Sequence, residues 1–440
     1  MKIELKSFGP IDHFEFDMDK DLHVIYGENN LGKSYAMSAV YLILKNLNNL
    51  SNKQSNTHEI VNKLSQLNQY DLKEMFIKEY IDFNTINFSE PFLNSLKLSF
   101  PNLESFYSSF LPYVSILFKD SSFSFIVKAD DNQIRNISAT FDDQIFTNFE
   151  EFKNHLSNNE TPSHITDSVI ISNLIVQSDI YDLYFLPASR SGLYQAYNNL
   201  GKIFAKLSQW RYQIKEKIEI PALQEYIADY FLQLNSVKTK NLNNKLSLIA
   251  EKIEKEILKG SITYNTEEGK VEYKHEKSKS ALDVSMASSM ISELAPFIIF
   301  FKYIIGVTEQ DIEKNDSTTI HKSPPILFIE EPEAHLHPKI QVEMMKVFVE
   351  LVKAGVKVVM TTHSDYMKDT LSNLLLSGDI TPERVASYRF VMGENGSYDA
   401  GDMKATAEGI EDHNFTSVAV DLYEERVRLL EKRYEANDAQ

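Results

Sequence analysis

The stretch Gly27-Glu28-Asn29-Asn30-Leu31-Gly32-Lys33-Ser34 decides the reading of the chain. It fits the pattern G-x-x-x-x-G-K-S/T in full, and each fixed position has a physical reason. Gly27 and Gly32 let the backbone turn tightly, so that successive N–H groups, with Asn29 and Asn30 between the glycines, converge on phosphate oxygens. The helix that follows adds the partial positive charge of its N-terminus. Lys33 is spaced to reach the β- and γ-phosphates, and the Ser34 hydroxyl to ligate Mg²⁺. A chance match in a turn would not explain the flanks. Leu22–Tyr26 is apolar enough for a central strand, and Met37, Val40, Tyr41 and Leu44 recur at helical spacing. The order is strand, glycine loop, helix.

A second element lies far downstream. Ile326-Leu327-Phe328-Ile329 is apolar enough for a buried parallel strand, and Glu330-Glu331-Pro332-Glu333 follows at its carboxyl end. In open α/β sheets that edge is where ligands bind. Glu330 is placed to hold Mg²⁺, and Glu331 to orient and deprotonate an attacking water. A merely solvated acidic loop would repel a bound polyanion unless a metal ion sat between them. Val356–Met360 is the next buried strand, and it ends in Thr361-Thr362-His363-Ser364. His363 there is placed to hydrogen-bond a γ-phosphate, although a lone histidine at a strand end is often structural.

Composition narrows the class. With 43% hydrophobic and 25% charged residues among 440, the chain is ordinary globular material rather than a disordered one. Its net charge of −18 argues against a surface that tracks nucleic acid as a whole, while leaving room for a local basic groove. The absence of cysteine removes disulfides, thiolate metal sites and cysteine nucleophiles, and it fits a reducing compartment. Met1–Lys6 alternates charged and apolar residues and does not read as a signal peptide. The longest apolar run, Leu294–Val307, is interrupted by Lys302 and is too short for a bilayer. No membrane association and a cytoplasmic location are expected.

Between the two motifs the sequence predicts strands at Phe123–Ala129 and Gln133–Thr140, a helix at Val169–Ser178, a strand at Leu183–Leu186, and helices over Ala222–Leu234 and Asn243–Leu258, the latter capped by Gly260. Ser285–Ile305 reads as one helix with a kink at Pro296. Ser417–Tyr434 reads as a last helix. Its apolar stripe of Val420, Tyr423, Val427, Leu430 and Tyr434 is short for a coiled coil and is expected to dock on its own domain. His335 and His337 lack a third ligand and make a poor metal site. The organisation expected is an N-terminal part of one head over 1–47, an insertion with a β-rich lobe and a helical arm over 48–280, and the rest of the head over 281–440.

Taken together these segments resemble the ABC-type ATPase superfamily, in the branch that holds RecF, SMC proteins and OLD-like ATPases. Phe8-Gly9-Pro10-Ile11, leading into the strand before Gly27, looks like that branch's N-terminal signature. Glu330-Glu331-Pro332-Glu333-Ala334-His335-Leu336-His337-Pro338 is similar to its Walker B and D-loop, and Thr361–Ser364 to its switch histidine. Leu186-Pro187-Ala188-Ser189-Arg190-Ser191-Gly192 resembles a segment of OLD-like members. The resemblance implies an α/β fold, an ABC-type P-loop head, with ATP and Mg²⁺ sandwiched between two heads in a homodimer or higher oligomer. There Ser288 or Ser289, in Ala287–Leu294, would meet the γ-phosphate across the dimer. Two departures stand out. Glu330 takes the place of the usual aspartate, and Ala287–Leu294 lacks the glycines of the usual signature. Gln177 is a candidate for the Q-loop, which the sequence leaves unassigned. Arg190 either senses phosphate or ties down its loop.

The segment after His363 is too short for the nuclease domain that OLD-type proteins carry after the ATPase. The resemblance therefore implies an ATPase that regulates a separate effector, of the kind found in bacterial anti-phage or toxin systems. A DNA repair or DNA-end clamp of the RecF or SMC type is the alternative. A transporter head fits least, because such heads are compact and carry the full signature.

Overall fold

A computed structural model describes residues 1–53, 99, 113–117, 121–127, 134–141, 144–146, 182–196, 223–237, 245–265, 269–306, 323–414 and 416–438. Strands β1 (Lys2–Phe8), β2 (Ile11–Asp17) and β3 (Leu22–Gly27) lead into helix α1 (Lys33–Lys53). Strands β4 (Tyr113–Leu117), β5 (Ser121–Val127), β6 (Ile134–Phe141), β7 (Gln144–Phe146) and β8 (Leu183–Leu186) come next, and then helices α2 (Glu225–Asn235) and α3 (Lys245–Lys252). A small sheet of β9 (Gly260–Asn265), β10 (Lys270–His275) and β11 (Leu282–Asp283) precedes α4 (Ser289–Ile299). The C-terminal part runs β12 (Ile326–Glu330), α5 (Pro338–Lys353), β13 (Lys357–Thr361), α6 (Asp365–Leu376), β14 (Val385–Met392), β15 (Ser397–Asp399) and α7 (Thr416–Asp438).

One twelve-stranded sheet carries the molecule, in the order β7-β6-β5-β4-β1-β2-β15-β14-β3-β13-β12-β8. Its half from β14 to β8 is wholly parallel. The half from β7 to β2 is antiparallel. Strands β4 to β7 thus extend the main sheet through β1, and β8 is the edge strand of its parallel half.

Parallel strands need cover on both faces, and the alternation of side chains supplies apolar residues to each. Ile25, Phe328 and Val359 point to the face filled by Met37, Val40, Tyr41 and Leu44 of α1. Val24, Leu327, Ile329, Val358 and Met360 point to the other, against Met344 and Phe348 of α5 and Leu294 and Phe297 of α4. Tyr230 and Leu234 of α2, and Leu246 and Ile249 of α3, belong to that second core. The Tyr41 ring meets Phe185 and Phe328 edge-on, at 5.2 and 5.4 Å between centroids.

Three local expectations are corrected. Ser285–Ile305 is not one helix kinked at Pro296. A 3₁₀ turn at Val284–Met286 is held by the Asp283 carboxylate, which accepts from Ser285 N at 2.8 Å. The α-helix then starts at Ser289, passes through Pro296 and widens to a π turn at Phe300–Ile304. Gly260 does not cap the preceding helix. Lys259 takes the left-handed conformation, at φ 51°, and Gly260 opens β9, where a Cβ would lie 2.5 Å from the Lys274 carbonyl oxygen. Finally, α7 does not dock on its own domain: Val420, Tyr423 and Leu430 are 45, 69 and 44% exposed. Val169–Ser178 and Gln177 lie outside the described residues.

The turn between β1 and β2 explains the Phe8-Gly9-Pro10-Ile11 motif. Pro10 lies under the glycine loop, so that a Cβ on Gly32 would sit 2.8 Å from its Cγ. From the other side Ser397 N donates to the Pro10 carbonyl at 2.8 Å. Gly396 makes that approach at φ +130°, and a Cβ there would fall 2.7 Å from Pro10 O and 3.0 Å from Asp12 N, both backbone atoms that have no rotamer to give way. Gly396→Ala should therefore cost about 3 kcal/mol of unfolding free energy. Gly378→Ala, at φ +75° with open space around it, should cost only about 1 kcal/mol. Urea denaturation of the two variants checks the ranking, and equal losses would contradict it.

Candidate functional site

The glycine loop, the acids, the histidine segment and the Pro187–Arg190 turn all emerge at the carboxyl edge of the parallel half-sheet. The glycine loop follows β3, the acids follow β12 and Thr362-His363 follows β13. Since β13 lies between β3 and β12, His363 stands between the loop and the acids. Pro187–Arg190 follows β8, on the far side of the acids.

The loop is built for convergence of N–H groups. Gly27 and Gly32 lie at φ 139° and 77°, and Asn30 joins them in the left-handed region at φ 62°. A Cβ on Gly27 would fall 2.7 Å from Phe390 O, so glycine is required there by the neighbouring strand as well as by the turn. Glu28, Asn29 and Asn30 are exposed. Lys33 is buried, and its Nζ donates to the carbonyls of Gly27 at 3.0 Å and Glu28 at 2.6 Å. Burial pulls its pKa down to about 8, against the nearby charges of Glu331, Glu333 and Glu28, so at pH 7 it is mostly cationic. No acidic residue occupies the first turn of α1, which leaves the positive end of that helix uncompensated.

Glu330 is buried at the end of β12. Its Oε2 accepts from Ala188 N at 3.2 Å, and the Ser34 hydroxyl lies close enough to its carboxylate to favour the ionised form. Burial pushes its carboxyl up to about 7, with Ala188 and Ser34 opposing and Glu331 reinforcing the rise. A hydroxyl and a carboxylate side by side are hard oxygen donors, the set that suits Mg²⁺. The glycine loop and this pair therefore fit a nucleotide phosphate chain with its metal ion.

Glu331 is more exposed and adopts φ 41°. Such a conformation costs an L-residue about 1 kcal/mol or more. It is restrained on both sides of the peptide unit. Glu331 N donates to Thr361 O at 3.1 Å and to Thr361 Oγ1 at 3.3 Å, and its carbonyl accepts from Arg190 Nη2 at 3.3 Å. Its Oε1 lies 3.7 Å from His363 Nε2. Burial, and then the Lys33 charge, lower the His363 pKa, which leaves the imidazole neutral at pH 7.

Glu333, in the same acidic motif, has a structural partner that the local sequence does not reveal. It is half-buried, and its Oε1 accepts from His363 N, so it joins the acid turn to the histidine loop. Loss of solvent raises its pKa while that N–H holds it down. His337 caps α5 by accepting from Lys339 N at 3.2 Å, a structural role that the sequence did not suggest. Ser288 and Ser289 are exposed at the start of α4 and face outward from this head.

Arg190 resolves in favour of tying down its loop. It is 0% exposed, and its Nη1 donates to Pro187 O at 3.1 Å and Glu330 O at 2.7 Å. Its Nη2 lies 3.3 Å from Glu293 Oε2 of α4, and the guanidinium sits 5.0 Å from the Phe297 ring centroid. Ser191 Oγ donates to the same Glu293 carboxylate at 2.5 Å. Arg190→Met should cost about 3 kcal/mol, because it strands the Glu293 charge in the core. Arg190→Met combined with Glu293→Leu should recover part of that loss, because no unpaired charge remains. Chemical denaturation checks both, and a double variant no more stable than Arg190→Met would contradict the pairing.

A family model described as AAA ATPase domain matches residues 1–367. No curated protein matches the sequence. Among solved structures, an SMC head bound to the C-winged helix domain of ScpA aligns at TM-score 0.42 and 12% identity, over 91% of this chain and 96% of that one. The SMC head domain from Thermotoga maritima aligns at 0.37 and 11%, over 91% and 97%. The Smc head with an extended coiled coil, bound to the C-terminal domain of ScpA from Pyrococcus furiosus, aligns at 0.40 and 14%, over 97% and 98%. Those scores are too low to carry an argument, and the family assignment stands on the sequence match alone. The chain belongs to the AAA ATPase domain family.

Proposed function

We propose that the protein binds and hydrolyses ATP, with Gly27–Ser34 around the phosphates and Glu331 as the general base. The observation that carries this reading is the placement of Ser34 against Glu330 while Glu331 and His363 flank the same edge beside Lys33. The backbone N–H groups of the loop, including those at Asn29 and Asn30, hold the phosphate oxygens, and Lys33 exchanges its carbonyl partners for the β- and γ-phosphates. Ser34 and Glu330 hold the metal ion. A Mg²⁺ ion held by these two side chains would supply positive charge against the phosphate oxygens. Glu331 takes a proton from water as the water oxygen bonds to the γ-phosphorus and the bond to the β-bridging oxygen breaks, releasing ADP and phosphate. The neutral His363 donates its single N–H to the γ-phosphate beside Glu331.

The second part of the proposal is a nucleotide-dependent contact between two copies. Ser288 and Ser289 are solvent-exposed at the N-terminus of a largely buried helix, a geometry suited to an anion presented by another head. ABC-type heads of the OLD-like branch close in this way, and the match of Glu330–Pro338 and Leu186–Gly192 to that branch supports the same use here. On that resemblance the cycle regulates a separate effector protein in bacterial defence or in a toxin system.

Lys33→Ala should lower ATP affinity by about tenfold or more, since a charge-assisted phosphate contact is lost. Glu331→Gln should retain ATP affinity and lower turnover by about a hundredfold or more, because the amide cannot accept the proton. Equilibrium binding and phosphate release separate the two, and parent-rate turnover by Glu331→Gln would exclude it as the base.

The contact between copies has its own test. The chain contains no cysteine, so with Ser288→Cys and Asn29→Cys in each copy the symmetric sandwich offers two equivalent 288–29 disulfides, identified by peptide mapping against 29–29 and 288–288 pairs. In the Glu331→Gln background they should form with ATP and Mg²⁺ and not with ADP. Their absence with ATP would rule out the sandwich while leaving the ATPase reading intact.

A further inference from the structure

The last helix has an apolar seam that is exposed among the described residues. From residue 420 to residue 433 every residue of α7 is exposed except the half-buried Val427. In heptad register Val420 and Val427 take position a, and Tyr423 and Leu430 take position d. Every other phase of the heptad puts a charged residue into the seam. β-Branched residues at a with leucine at d favour two strands.

The flanking charges decide what covers this seam. Positions e are Glu424 and Glu431, and positions g are Arg426 and Arg433. The flanks are thus sorted by sign, acidic on one side and basic on the other. In a parallel, in-register pair of identical helices, g of one strand meets e of the next heptad of its mate, which sets Arg426 opposite Glu431 on both sides of the coil. In an antiparallel pair g meets g and e meets e, so arginine would face arginine and glutamate would face glutamate. On its own helix Arg426 has only Leu422, Tyr423, Leu429 and Leu430 three and four residues away, so no carboxylate there competes for it, while Glu431 has Arg428 three residues before it.

We propose that α7 is a dimerisation helix whose occupant is a second copy of itself, paired parallel and in register. The pairing needs no nucleotide, and so goes beyond the ATP-dependent contact of the heads. It keeps two heads tethered while that contact opens and closes, which raises their effective concentration.

The test is the mass of the full-length chain by sedimentation equilibrium without nucleotide, with Val427→Asp, Arg426→Glu and Arg426→Glu/Glu431→Arg as variants. The parent should be a dimer, as should Lys33→Ala, which separates this pairing from the nucleotide site. Val427→Asp should be a monomer that melts with the parent's head transition, because the helix lies outside the core. Arg426→Glu should raise the dimer dissociation constant about tenfold, since two symmetric attractions become repulsions, and the charge-swapped double variant should restore it. A monomeric or higher-order parent, or a dimer indifferent to Val427→Asp, would overturn the proposal. Failure of the double variant to restore what Arg426→Glu loses would overturn the parallel register. Loss of the disulfide cross-link between positions 288 and 29 with this dimer intact would instead remove the ATP sandwich and leave α7 pairing in place.

Discussion

A single buried cation organises the acid end of the sheet. Arg190 has given up all of its solvent, a cost of several kcal/mol that only close polar partners offset. Those partners are the carbonyls of Pro187, Glu330 and Glu331 and the carboxylate of Glu293. One guanidinium therefore joins the turn after β8, the end of β12 and the body of α4. The acids and the helix that presents Ser288 and Ser289 are held as one unit. Displacing α4 would pull on the backbone that carries Glu331, which gives a physical route between an outer contact and the Glu331 carboxylate.

That carboxylate sits on a restrained, unfavourable backbone. Glu331 and His335 both lie in the left-handed region without being glycine. The Thr361 hydrogen bonds and the Glu333 link to His363 fasten the turn to β13, the strand that separates it from the glycine loop. Strain of this kind persists where the surroundings over-determine it, and it collects at sites that must hold one geometry. Here it aims Glu331 beside His363 while Glu330, one residue earlier, points into the sheet edge at Ser34.

How far the sequence could be read depended on distance along the chain. The glycine loop with its strand and helix, and the acids with theirs, were legible because each motif and its flanks are contiguous. Both lie where the spacing put them, at carboxyl ends of buried parallel strands. The strand order was not legible: β15 inserted between β2 and β14, and β4 hydrogen-bonded to β1, are choices between many pairings of similar local pattern. Arg190 and Glu333 belong to recognisable motifs, but their partners are contributed by other strands and by α4, so no local pattern marks one as a tie and the other as a link. The periodicity of α7 showed an apolar face and could not show that this face is exposed rather than packed on its own head. At Lys259 the tight approach of Gly260 to Lys274 moved the left-handed residue one position earlier than composition suggested.

Amide hydrogen exchange on Glu331→Gln, with and without ATP and Mg²⁺, tests the central claim most directly. Nucleotide bound at the carboxyl edge between β3 and β12 should protect the amides of residues 27–34 and of the turn from 331 to 336. Closure on a second head should add protection at the start of α4, around residues 288–292. Protection at the first two segments without the third would keep the nucleotide site and reject the sandwich. Protection of none of them under saturating ATP would contradict the account.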